Sequence, residues 1–152
     1  MEVTVNKMNK YLMFKLPSAF LCGVKLRALN SVKADVTVKY KWMNQNPFNS
    51  MYFAVQSMAA ELSTGALVIK KIKESGENIS MLVTNHNGKF TKKAVGLITF
   101  TCNDGALIDA ALLRTIENGE GQTIKMKSVG LNENGEPVSE YEFEWSIKLK
   151  KQ

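Results

Sequence analysis

The chain has 152 residues, of which 45% are hydrophobic and 22% are charged, a balance typical of a globular protein. A chain of this length can bury a sizeable core without disulfides or a structural metal, so we expect a single domain over residues 1–152. The two cysteines, Cys22 and Cys102, lie far apart and have no close His or Cys neighbours, which excludes the spacing of a zinc site. The net charge of +6 permits an anionic partner but does not demand one.

The N-terminal region contains an apolar stretch at residues 11–22 that resembles a targeting segment only superficially. Lys15 and Pro17 interrupt this stretch, so it is a poor core for a signal peptide. We expect residues 10–21 to form one or two short amphipathic turns that pack on the domain. A cytoplasmic location follows from this interpretation.

The segment 32–42 alternates strictly between apolar and polar residues, which predicts a half-buried strand. The apolar face consists of Val32, Ala34, Val36, Val38, Tyr40 and Trp42. Pro47 and the neighbouring asparagines then end the strand. Asn49 or Ser50 is expected to cap the helix that follows, because each has a side-chain oxygen for free backbone N–H groups.

The next helix is predicted from Ser50 to about Gly65, and it is apolar on all sides. Between Asn49 and Lys70 the only charged residue is Glu61. A membrane span needs about 20 apolar residues, but several polar residues interrupt this segment and alternating strands surround it. A helix buried against a sheet is therefore expected.

The second half of the chain predicts four more strands and one helix. Segments 79–84 and 94–102 flank Asn85-His86-Asn87-Gly88, a hairpin signal, and 94–102 is apolar on both faces, as in a central strand. Residues 104–117 predict a helix with Asp104 as cap. Segments 123–131 and 138–149 are expected to pair through Asn134-Gly135. Consecutive hairpins indicate a mainly antiparallel sheet of five strands with the long apolar helix against its concave face.

Glu61 is the leading candidate for chemistry, because an isolated ionised carboxylate is costly to bury. A carboxylate with a raised pKa in a pocket suits a general base or a nucleophile. The alternative is that Glu61 lies near the end of the helix and simply reaches solvent. The sequence alone leaves both possibilities open.

The run from Asn46 to Leu62 resembles the signature loop and central helix of the hotdog-fold thioesterases. In that family the segment begins with Asn, continues with His-Gly-Gly and ends with Asp or Glu. Asn46 and Glu61 stand at the first and last of these places, whereas Tyr52, Phe53 and Ala54 replace His-Gly-Gly. The resemblance implies an α+β hotdog fold, with an antiparallel five-stranded sheet wrapped around a long central helix, in an uncharacterised branch of the superfamily with an Asn-Pro-Phe-type loop.

The resemblance further implies hydrolysis of acyl-CoA or a related thioester, without a metal or another cofactor. The implied catalytic residues are Glu61, which activates water or attacks the carbonyl, and Asn46, which positions the water or the carboxylate. A free N–H at the start of the helix polarises the thioester carbonyl. The implied substrate-binding residues are Asn49, Ser50, Tyr52, Phe53 and Ser80. Sites of this family are completed across a homodimer, so a homodimer or a dimer of dimers is expected.

Two other functions compete with thioester hydrolysis. A non-catalytic hotdog module that binds an acyl chain or a lipid gains weight from the missing His-Gly-Gly, since a fold does not fix a function. Nucleic-acid binding rests on net charge alone and is not expected, because Arg27 and Arg114 are the only arginines. His86 is expected to be exposed in a turn, and Cys102 is not expected to be a nucleophile.

Overall fold

The computed structural model describes residues 2–150, which form one antiparallel sheet with helices packed on it. The helices are α1 (Val5–Lys15), α2 (Pro17–Leu21), α3 (Phe53–Ser75) and α4 (Gly105–Asn118), and a short 3-10 helix spans Trp42–Asn44. The strands are β1 (Lys25–Leu29), β2 (Ala34–Lys39), β3 (Ile79–Phe90), β4 (Leu97–Cys102), β5 (Gln122–Leu131) and β6 (Pro137–Leu149).

The sheet has six strands in the order β1-β2-β4-β5-β6-β3, one more than the five expected. The additional strand is β1, in which Leu26 alone is fully buried and a bulge between Leu26 and Ala28 disturbs the pairing with β2. Such a strand has no clean alternation for a sequence to display. The central position of β4, between β2 and β5, is confirmed.

The long helix α3 lies on one face of the sheet and is longer than expected. It begins at Phe53 rather than Ser50, and it continues ten residues past Gly65 to Ser75, where Gly76 takes a left-handed conformation. Gly65 does not end the helix; a Cβ at this position would lie 3.0 Å from the Trp145 ring, which accounts for the glycine. Neither Asn49 nor Ser50 caps α3: the residue before the helix is Tyr52, without a side-chain capping bond.

The predicted hairpin at residues 85–88 is wrong. Strand β3 runs straight through this segment and pairs along its length with β6, so that His86 lies opposite Phe143 and Gly88 opposite Tyr141. A side chain at position 88 would come within 2.9 Å of the Tyr141 ring, which explains the glycine without a turn. Eleven residue pairs between β3 and β6 outweigh a local turn preference.

The remaining elements agree with the sequence apart from details at their ends. Strands β5 and β6 are joined through Gly135, at φ 76°, and α4 ends at Gly119 in a left-handed conformation. Asp104 precedes α4 but does not cap it with its side chain, because its carboxylate accepts from the Lys127 backbone N–H at 2.7 Å. The side chains of Val32 and Trp42 lie outside β2 and are exposed.

None of the helices within residues 2–150 has the length and apolarity that a membrane crossing requires.

Candidate active site

The loop before α3 is held together by the side chain of Asn46. Its Oδ1 accepts from the backbone N–H groups of Phe48 (2.9 Å) and Ser50 (3.3 Å). Its Nδ2 donates to Ser50 Oγ (3.0 Å) and to the Met51 carbonyl (3.3 Å). Both ends of the amide are therefore engaged inside the loop, and Asn46 fixes the path by which the chain enters the helix.

Asn44 anchors the same loop to the body of the protein, which the sequence analysis missed. Its side chain is 2% exposed and donates to the carbonyls of Cys22 (3.0 Å) and Lys39 (2.9 Å). The backbone carbonyl of Asn44 accepts a hydrogen bond from the Tyr52 N–H at 2.8 Å. Because this bond uses the Tyr52 amide, the first free donors of the helix come after Tyr52.

The start of α3 presents unused backbone donors. The N–H groups of Phe53 and Ala54 donate to no oxygen within the described part of the chain. The first N–H groups of a helix have no partner in the helix itself, and the helix dipole makes this end electropositive. These two amides are suited to hold an oxygen that carries negative charge.

A pocket of about 490 Å³ opens at this end of α3. One wall is the loop and the first turn of the helix, and the other is the end of β3 with the residues after it. Its lining includes four of the expected site residues, Asn46, Ser50, Tyr52 and Phe53. Phe53 and Phe90 meet edge to face across the pocket, with ring centroids 6.3 Å apart, so the pocket is mainly apolar.

Two lysines stand at the rim of this pocket. Lys92 is paired with Glu136 at 2.6 Å, whereas Lys93 donates to the carbonyl of Phe48 at 3.0 Å and has no carboxylate partner within residues 2–150. Because a carbonyl is neutral, this hydrogen bond does not compensate the positive charge of Lys93. The rim therefore offers one free positive charge to an anionic group.

Glu61 lies two turns further along α3 and is half-buried. Burial raises the pKa of its carboxyl above the ordinary value of 4.5. No hydrogen bond or ion pair connects this carboxylate to another of residues 2–150, so nothing there offsets the lost hydration. The alternative interpretation, in which Glu61 simply reaches solvent, therefore does not hold.

The side of α3 that carries Glu61 faces strand β6. One turn before it, Ser57 Oγ bonds Tyr141 Oη at 3.1 Å; one turn after it, Thr64 Oγ1 accepts from Trp145 Nε1 at 2.9 Å. Glu61 therefore lies level with Phe143, which stands between these two residues on the same face of β6. Its Oε1 is 3.6 Å from the place that a Cβ on Gly65 would occupy, so the carboxylate rests against the helix where a side chain is missing.

His86 shares this surface, contrary to the expected turn. Strand β3 places it opposite Phe143 on the face that carries α3, and its ring stacks on Phe143 with centroids 5.6 Å apart. The side chain is exposed because β3 is an edge strand and α3 does not cover it. The position of His86 follows from the pairing register between β3 and β6, which the sequence does not reveal.

The expected site residues do not all converge. Asn46, Ser50, Tyr52 and Phe53 line the pocket, but Glu61 lies eight residues beyond Phe53, about 12 Å along the helix at 1.5 Å per residue. Asn49 is exposed in the loop with φ 57° and does not line the pocket.

Ser80 is also separate from the pocket. It pairs with Lys148, one position from the pair Met81–Ile147 that faces α3, so it lies on the opposite face of the sheet. Its hydroxyl donates to the Lys148 carbonyl at 3.1 Å. In a single chain it contacts neither the pocket nor Glu61.

Other chemistry is disfavoured by the surroundings of the groups concerned. Burial raises the pKa of the Cys102 thiol to about 12, which keeps it protonated and unreactive. Among residues 2–150, no cluster of three or more His, Cys, Asp or Glu side chains could hold a metal ion.

Solved structures similar to this chain identify its fold. A protein of unknown function from Pseudomonas aeruginosa, named a probable thioesterase, superposes with a TM-score of 0.83 at 19% identity over 99% of both chains. A protein of unknown function from Chlorobaculum tepidum gives a TM-score of 0.84 at 16% identity, over 96% of this chain and 94% of that one. A thioesterase from Haemophilus influenzae gives 0.77 at 12% identity, over 98% and 93%.

The chain has the hotdog fold, an α+β fold in which an antiparallel sheet packs on a long helix. The expected fold class is confirmed, with six strands in place of five. No protein-family model matches the sequence, and the search of curated proteins finds no match.

The raised pKa of Glu61 predicts how its replacement changes stability. A carboxyl with a higher pKa in the folded than in the unfolded protein is harder to ionise when folded, so its ionisation lowers the free energy of unfolding as pH rises above about 4.5. We expect Glu61→Gln to raise the melting temperature at pH 7 and to change it less below pH 4.5. Thermal melts across this range measure the effect, with the exposed Glu120→Gln as matched control. The opposite result, a Glu61→Gln variant that melts below wild type at pH 7 but not at acid pH, would show that ionised Glu61 makes a favourable charge contact.

Proposed function

We propose that the protein hydrolyses acyl-CoA or a related thioester, with Glu61 as the working carboxylate. The observation that carries this proposal is the unpaired, desolvated state of that carboxylate. A structural carboxylate would be expected to have an ion-pair partner or free access to water. A carboxyl with a raised pKa, on the aromatic surface that also carries His86, is instead suited to accept a proton.

The pocket at the start of α3 supplies the binding half of the reaction. The thioester carbonyl is held by the N–H groups of Phe53 and Ala54, which stabilise the negative charge that develops on its oxygen. The acyl group lies against Phe53 and Phe90. The rim lysine Lys93 meets a phosphate of the coenzyme A moiety, and Asn46 keeps the loop in the shape that leaves the two amides free.

Glu61 supplies the hydrolytic half. It removes a proton from water, whose oxygen attacks the carbonyl carbon; the tetrahedral adduct then breaks the carbon–sulfur bond, and the thiolate leaves and takes up a proton. His86 lies on the same aromatic surface, and we propose that it positions the water. The products are a carboxylic acid and a free thiol, and the reaction needs no cofactor. We propose a cytoplasmic location, which stays a prediction from the sequence.

The distance of about 12 Å between Glu61 and Phe53 along one helix suggests that each site is shared by two chains. Strand β3 is an edge strand whose outer side is unpaired in the described chain. Gly88 lies opposite Tyr141, whose hydroxyl bonds Ser57, midway along α3 between Phe53 and Glu61. If two copies pair antiparallel through β3 around Gly88, a two-fold axis sets Glu61 of one chain level with the helix start of the other. We therefore propose a homodimer, or a dimer of dimers, as the active form.

The second candidate function is an acyl-binding module without catalysis. Phe53 and Ala54 favour it, because both carry side chains where the resemblance leads one to expect glycine, and Phe53 narrows the pocket. Such a module needs the apolar pocket but not the carboxylate. The two functions therefore differ in what the replacement of Glu61 does.

Turnover of a panel of short, long and aromatic acyl-CoA esters tests the proposal. Glu61→Gln should lower kcat by roughly 100- to 10,000-fold, the contribution of a general base. Phe53→Pro should cost roughly 100-fold, because it removes one amide donor. The backbone accommodates a proline at position 53, because Tyr52 has φ −58° and ψ 134°, a conformation favoured by a residue that precedes proline.

Phe53→Ala is the matched control, since it removes the ring and keeps the N–H. It should change KM more than kcat. No turnover by folded wild type across the panel, with retained acyl-CoA binding, would reject hydrolysis and favour the binding module.

Mixed dimers test whether the site is shared. Glu61→Gln and Phe53→Pro chains, each nearly inactive alone, should regain activity when refolded together at equal amounts. Random pairing makes half of the dimers mixed, and each mixed dimer has one intact site of two, so about a quarter of wild-type activity should return. Differently tagged chains verify the exchange. No recovery, despite proven mixing, would place both groups in one chain's site.

A further inference from the structure

The N-terminal part of the chain carries a charge distribution that the proposed reaction does not use. From Val3 to Ala34 the sequence contains no acidic residue. The same segment contains six basic residues, as many as the net charge of the whole chain: Lys7, Lys10, Lys15, Lys25, Arg27 and Lys33. Lys33 is paired with Asp35 at 3.0 Å, and the other five have no ion-pair partner within residues 2–150.

Large apolar side chains are exposed in this same segment. Phe14 is 73% exposed and Leu21 is 59% exposed, and Tyr11 and Phe20 are exposed on the same two helices. The helices are not short of core contacts, because Met8, Leu12 and Ala19 already bury their inward side. The exposed side of these two helices therefore carries further apolar residues, and we call it the α1–α2 face.

The basic and apolar residues are interleaved on the helices. On α1, Lys7, Lys10 and Phe14 follow one another at spacings of three and four residues, so they project from one side of the helix. A groove of about 380 Å³ lies beside them, between α1 and α3. Its floor is apolar, Lys7 and Lys73 stand at its sides, and Glu2 is the acidic residue on its lining.

We propose that the α1–α2 face docks on an anionic lipid bilayer. An amphipathic helix with lysines around protruding Phe and Leu side chains lies in the membrane interface, where the apolar side chains enter the acyl region and the lysines meet lipid phosphates. The groove beside Lys7 and Lys73 accommodates part of a lipid tail. This mode of binding needs no membrane-spanning helix, and it is independent of the proposed hydrolysis.

Charge and position argue against the two other occupants. A second copy would bring two surfaces of net positive charge against each other, which is repulsive. The face adjoins β1, at the opposite edge of the sheet from β3, so it stays accessible in a dimer formed through β3. Nucleic acid would use the lysines, but its phosphate backbone offers no apolar partner for Phe14 and Leu21.

Co-sedimentation of the full chain with lipid vesicles tests this proposal. We expect binding to vesicles of phosphatidylcholine with one quarter phosphatidylglycerol, little binding to pure phosphatidylcholine, and weaker binding at high salt. Lys7→Gln with Lys10→Gln should lower the partition coefficient about 25-fold, or about fivefold for each lysine near the surface. Phe14→Ser with Leu21→Ser should lower it at least roughly tenfold.

The matched control is Lys148→Gln with Arg114→Gln, which removes the same charge from exposed positions on β6 and α4. It should bind vesicles like wild type, and thermal melts should show all variants folded. The proposal is overturned by absent binding to anionic vesicles, or by equal losses in the control. It is also overturned if Phe14→Ser with Leu21→Ser changes only the oligomeric state, or if an oligonucleotide displaces the vesicles at equal charge concentration.

Discussion

The burial of α3 against the sheet is the constraint on which the rest of this structure depends. The helix has 23 residues, and its first seventeen carry one charge. Such a helix is stable in water only when other elements cover it, and strands β2, β4, β5 and β6 do so from one side. The same burial that stabilises the helix withdraws Glu61 from water. Stability and the proposed chemistry therefore arise from a single packing arrangement, in which the protein tolerates the unfavourable burial of the Glu61 carboxylate.

The sequence predicted those parts of the fold in which local pattern and tertiary environment agree. The alternation of β2 and β6 and the apolar composition of α3 are each explained by one buried face, and the structure confirms them. The failures occur where long-range pairing decides. Asn87-Gly88 is a turn signal by itself, but β3 forms eleven residue pairs with β6, and the missing side chain at Gly88 makes room for the Tyr141 ring. Strand β1 escaped notice because its bulge removes the periodicity.

The candidate site was predicted in its components but not in its arrangement. Glu61 was recognisable as the lone carboxylate of an apolar helix, whereas Asn46 was singled out only through the resemblance to the hotdog-fold thioesterases. Both ends of the Asn46 amide form hydrogen bonds inside the loop. These bonds depend on the loop conformation, which the spacing of residues in the sequence does not specify. His86 became a candidate only through the register of β3 with β6. Ser80 illustrates the converse, since a shift of one residue along a strand moves a side chain to the other face of the sheet.

The protonation of Glu61 in the folded protein is the most direct test of this account, because the proposed base and its packing both imply a raised pKa. Carbon-13 NMR of the side-chain carboxyls, followed from pH 3 to 9 and assigned with Glu61→Gln, reports that pKa without any substrate. The account predicts a carboxyl that titrates above the ordinary value of 4.5. A Glu61 carboxyl that titrates at or below that value would show a solvated or paired group and would contradict the central claim.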